Sequence, residues 1–87
     1  MKNDLSRIIN IGKDTRAKLT RVGIDSFEKL KSIGSEQAFL RIQAIDPDAC
    51  LSLLSALEGA IEGIRWHDLP VEKKNELNFF FKMATKK

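Results

Sequence analysis

At 87 residues the chain has room for one domain and not for two. Its 43% apolar and 31% charged composition is that of a globular rather than a disordered chain. A net charge of +3 with a single cysteine, Cys50, excludes an internally disulfide-stapled secreted scaffold. A domain this short buries only ~60–65% of its unfolded surface, so its core must be tightly filled. Val is scarce, Tyr is absent, and Leu, Ala, Ile, Lys and Glu abound, which favours helices over strands. The first residues resemble no signal peptide, and no stretch approaches the ~18 apolar residues that a membrane span needs. The expectation is one cytoplasmic domain over 1–87.

In chain order, Asp4 precedes Leu5, Ile8 and Ile9 as the cap of a short first helix that stops at Asn10-Ile11-Gly12. A second helix runs over Lys13 to Val22, with Thr15, Leu19 and Val22 on one face and Gly23 ending it. Asp25-Ser26 caps a third, which carries Phe27, Leu30 and Ile33 and ends at Gly34. Ser35 caps a fourth, with Ala38, Ile42 and Ile45 on a face beside Phe39 and Leu40. Asp46-Pro47-Asp48 breaks the run, because the residue before proline is pushed out of helical conformation.

The fifth helix, over Asp48 to Trp66, is apolar around most of its circumference and is expected at the centre. Its row Ser52, Ser55, Gly59, Gly63 suits close approach of another helix. After His67-Asp68-Leu69-Pro70, a last helix carries Leu77, Phe80 and Phe81, and 82–87 reads as a frayed basic tail. The whole is an all-α, compact orthogonal bundle of five to six short helices.

Charge is segregated. Residues 1–23 carry +4, residues 24–69 carry −4 and residues 70–87 carry +3. A basic end of this kind attracts nucleic acid or an acidic protein. The N-terminal element, Leu5-x-x-Ile8-x-Asn10-Ile11-Gly12-x-x-x-x-Ala17-x-Leu19, joins two helices through a tight turn. Free N–H groups at the start of the second helix suit an anion. Gly12 lets a ligand approach the backbone, and Lys13, Arg16 and Lys18 supply positive charge. The candidate phosphate contacts are therefore Ile11, Gly12, Lys13, Arg16 and Lys18.

Among other features, Trp66 reads chiefly as core, with its N–H finding a partner, and Cys50 as a small buried hydrophobe. Three consecutive aromatics, Phe79, Phe80 and Phe81, cannot all face inward on one helix, so at least one is exposed or meets a partner chain. Trp66 and these three form the candidate partner interface, with a protein or a second copy of the chain as partner. His67 has no companion at metal-ligand spacing, and no nucleophile, phosphate-loop or paired-carboxylate signature occurs. No catalytic residue, metal, cofactor or small-molecule substrate is expected.

The 5–19 segment resembles a helix-hairpin-helix element, with Asn10 at the position of the first hairpin glycine. A longer likeness runs through Asn10-Ile11-Gly12-Lys13, Val22-Gly23-Ile24, the run Leu53-Leu54-x-Ala56-Leu57-Glu58-Gly59-Ala60-Ile61-x-Gly63-Ile64-x-Trp66, and Leu69-Pro70. Over roughly 5–78 the chain resembles the C-terminal domain of TfoX/Sxy competence regulators, here as a stand-alone domain. That resemblance implies a helical domain related to helix-hairpin-helix folds, in bacterial proteins that regulate DNA uptake. Two functional readings stay open: a regulatory module touching nucleic-acid phosphates through 10–16, or a protein-interaction module with no DNA contact.

Overall fold

Glycines end two of the helices in the same way. At the first, Gly23 takes φ +87°, its N–H donates to Thr20 O, and the Ile24 N–H donates to Leu19 O at 2.8 Å. At the other, Gly63 takes φ +77°, its N–H donates to Ala60 O, and the Ile64 N–H donates to Gly59 O at 3.0 Å. Both are Schellman closures, which satisfy terminal carbonyls through a left-handed residue that glycine adopts without penalty. The computed structural model describes residues 8–85. Over that span it is all-helical, with α1 at Lys13–Arg21, α2 at Phe27–Ile33, α3 at Ser35–Ile45, α4 at Leu51–Glu62 and α5 at Val71–Thr85. A 3-10 turn, Trp66–Asp68, separates α4 from α5. Of the first helix expected from sequence, the part before Ile8 lies outside the described residues.

Starts of helices follow local chemistry. Ser26 accepts from the Lys29 N–H at 3.2 Å as the cap of α2. Asp46 Oδ1 accepts from the Asp48 N–H at 3.1 Å, folding the Asp46-Pro47-Asp48 break into a turn. Ser35, expected as a cap, instead stands first inside α3 behind Gly34, and its buried hydroxyl donates to Glu58 Oε1 at 2.6 Å. The central helix is shorter than its apolar run. It begins after Cys50 and stops at Gly63, whose left-handed conformation turns the chain before Trp66. Cys50 is exposed rather than buried, because Ala49 takes the inward position beside it.

The core is assembled from every helix. Leu19, Ile24, Leu30, Ala38, Phe39, Ile42, Leu54 and Leu57 are fully buried, and Leu69 and Leu77 nearly so. Helix α4 lies among α2, α3, α5 and the 3-10 turn, as its apolar circumference requires. Ile45 is an exception to the expected face of α3, being 39% exposed where that helix ends. Helix α5 extends to Thr85, and 86–87 lie outside the described residues. Ala84 packs on the core and the Thr85 hydroxyl donates to Phe81 O at 2.8 Å.

Candidate functional site

The bend before α1 is built around Asn10, whose φ of +69° lies in the left-handed region that Asn tolerates better than most side chains. Its carboxamide is used at both ends. Nδ2 donates to Ile64 O at 2.8 Å, and Oδ1 accepts from the Trp66 N–H at 3.4 Å. Asn10 therefore fastens the hairpin to the segment that leaves α4. Gly59 makes room for it: a Cβ there would stand 2.6 Å from Asn10 Nδ2, 2.8 Å from Ile64 O and 3.1 Å from Trp66 Cα. The close approach expected at Gly59 is thus made by a side chain and a turn, not by another helix. Gly63 has open space around it and serves as the helix stop.

Ile11 is buried, and its N–H donates to Ile8 O at 3.2 Å. It anchors the bend and offers no amide to a ligand, contrary to the sequence expectation. Gly12 is exposed, has an ordinary φ of −85°, and a Cβ built on it would meet nothing within 4 Å. The first intrahelical bond runs from the Arg16 N–H to Gly12 O at 2.9 Å, and no side chain caps α1. The N–H groups of Lys13, Asp14 and Thr15 find no acceptor among the described residues.

Lys13 is exposed and Arg16 half-buried, one turn apart at this opening. Asp14 sits in the same turn and is the opposing charge there. Lys18 is not part of the cluster. Its ammonium is 2.6 Å from Asp46 Oδ2, and that hydrogen bond lifts Lys18 above the ordinary lysine range while drawing Asp46 below the usual carboxylate range. The sequence shows the positive charge of Lys18 but not the partner that folding places 28 positions away.

Trp66 is half-buried against the core, and its ring stacks on His67 with centroids 4.0 Å apart at 29°. Among the described residues no group accepts from its indole N–H. The three phenylalanines separate. Phe81 makes an edge-to-face contact with Phe39 at 5.8 Å, Phe80 packs on the core, and Phe79 is 68% exposed. The structure therefore divides the expected partner interface: Trp66 is on the hairpin side and Phe79 stands on the outer face of α5, with Met83 one turn further on, also exposed.

A second charged cluster joins three helices. Burial works against charge on Glu58, yet hydrogen bonds with Glu62 and Ser35 and the Lys73 ammonium at 3.7 Å together hold its carboxyl below the usual range. Glu62 is pushed the other way, chiefly by its hydrogen bond with Glu58. Ser35, Glu58 and Lys73 come from α3, α4 and α5, so no local motif announces them. Among the described residues no set of three His, Cys, Asp or Glu side chains could hold a metal ion. No helix among them is long and apolar enough to cross a membrane.

Five short helices, with the bend at Asn10-Ile11-Gly12 leading into a basic helix that no side chain caps, define a small all-α domain over the described residues. The chain belongs to the TfoX C-terminal domain family, which matches residues 1–81. Two crystal structures share the fold and much of the sequence. An uncharacterized protein from Listeria monocytogenes, in a triclinic form, is 46% identical with a TM-score of 0.93, covering 94% of this chain and 93% of that one. A protein of unknown function from the same organism, in a tetragonal form, is 48% identical with a TM-score of 0.90, covering 92% and 99%. No curated protein matches the chain.

Proposed function

We propose that the protein is a non-enzymatic regulatory binding module of the competence-regulator type that meets nucleic-acid phosphates at the opening of α1. One observation carries this reading. Gly12 has neither a strained φ nor a neighbour that a Cβ would strike, so packing does not require glycine there. What glycine provides is access to the N–H groups of Lys13, Asp14 and Thr15, at the positive end of a helix and beside Lys13 and Arg16. Such contacts hold a phosphate backbone without reading base sequence. The compartment that fits this role is the cytoplasm.

The experiment is titration of fluorescently labelled DNA at two salt concentrations. Binding weakens steeply with salt, and Lys13→Ala with Arg16→Ala reduces the salt slope by roughly two units. Gly12→Ala lowers affinity while leaving stability within about 1 kcal/mol, since alanine is only a modestly poorer cap. Absence of any DNA binding at low salt would overturn the reading.

The exposed pair Phe79 and Met83 favours a second reading, a partner protein or second copy docking on α5. Under it, function follows Phe79 and ignores charge reversal at Lys13 and Arg16.

A further inference from the structure

We infer that the ligand is a single strand, one of whose unpaired bases enters the cleft between the start of α4 and the 3-10 turn. This rests on the phosphate contact proposed above and adds a second point of attachment. The cleft, of about 210 Å³, is walled by Leu51, Ser52, Ser55, Trp66, His67 and Lys74. Trp66 and His67 are already stacked, so a rigid aromatic surface stands ready for a flat heterocycle. Leu51 adds an apolar side. The hydroxyls of Ser52 and Ser55 both donate and accept, which suits the mixed edge of a base.

The charge lining the cleft is positive. Lys74 Nζ donates to His67 O at 2.9 Å and keeps further N–H groups for a phosphate. Arg65 is exposed immediately before Trp66, and no carboxylate lines the cleft, although Asp68 is exposed beside His67. Trp66 also borders a second cavity, lined by Thr15 of α1, where Asp46 and Asp48 repel phosphate and Lys18 offsets only Asp46. The favourable route for an anionic strand is therefore from the α1 opening past Trp66 towards Lys74.

The two contact points are neighbours. The Trp66 N–H meets Asn10 Oδ1, and Gly12 is two residues beyond Asn10, at most about 7 Å of chain. A base in a duplex is stacked and paired and cannot enter such a cleft, whereas an unpaired base can.

Trp66 is the chain's one tryptophan and there is no tyrosine, so intrinsic emission reports this ring. The test titrates the protein with a short oligothymidine strand, a duplex of equal length, and thymidine monophosphate. The single strand binds tightest and changes Trp66 emission. His67→Ala, an exposed position, weakens it roughly tenfold and leaves duplex binding unchanged. Equal binding of strand and duplex, with Trp66 emission unaltered, would defeat the cleft proposal and leave the phosphate reading intact. A response to the free nucleotide equal to that of the strand would also defeat it, in favour of a small-molecule site. No binding of any nucleic acid removes both.

Discussion

Asn10 shows how much one side chain can do in a domain of this size. It accepts a left-handed backbone, satisfies Ile64 O and Trp66 N–H, and fills the notch that Gly59 leaves. Asn10→Ala keeps the strained φ, which costs ~1 kcal/mol, and removes both hydrogen bonds at ~1 kcal/mol each. Asn10→Gly relieves the strain and is the milder change. Gly59→Ala gains ~1 kcal/mol of helix propensity but drives a methyl into Asn10 and the Ile64 carbonyl, so a net loss of roughly 1–2 kcal/mol is expected from overpacking. Urea denaturation of the three single variants and of the Asn10→Gly, Gly59→Ala double variant checks this. The double variant is more stable than the sum predicts, because one of the clashing partners has gone.

Glu58 and Glu62 give a second prediction at this scale. The Glu58 carboxyl is depressed by folding, so its contribution is present above the unfolded pKa and fades as pH falls through the lower folded value. Glu62 is raised, so the folded state holds its proton more tightly and ionisation as pH rises weakens the fold. Glu62→Gln removes that penalty and keeps a donor for Glu58. Because Glu62 is exposed and screened, the gain is under about 0.5 kcal/mol. The variant melts slightly higher than the parent at pH 7, and the difference closes as pH falls through the raised Glu62 value. A gap that widens on acidification would refute the assignment.

Among the elements, α5 has two unlike faces. Leu77, Phe80, Phe81 and Ala84 face the core, while Phe79 and Met83 face out. Phe81→Ala loses the contact with Phe39 and costs about 2–4 kcal/mol, somewhat below a fully buried phenylalanine. Phe79→Ala stays within about 0.5 kcal/mol. Thermal melts of the pair measure the difference, and equal losses would mean that Phe79 is covered in solution. The helix boundaries were legible because glycines and the Asp46-Pro47-Asp48 break act locally. The exceptions have different causes: Glu58, from another helix, claimed the Ser35 hydroxyl, whereas Gly63 is a local stop that closed α4 before its apolar pattern ended.

For the whole molecule, the links between Asn10, Trp66 and α4, with Glu58 bridging α3 to α5, leave no helix with a core of its own. Unfolding is therefore expected to be two-state. Helicity by circular dichroism and Trp66 emission should fall together in urea, and separate midpoints would show that the hairpin side opens independently.

Composition, glycine placement and apolar spacing determined by themselves that the described chain is helical and where most helices stop, because those signals act over a single turn. They also singled out Gly12, Lys13 and Arg16 as candidates for the proposed anion contact. The tertiary structure alone decided that Lys18 belongs to Asp46, that Ile11 is an anchor, that Asn10 is a clasp and that Phe79 is the outward phenylalanine. Each of those outcomes depends on which distant group comes within hydrogen-bond or packing reach, and spacing along the chain does not encode that.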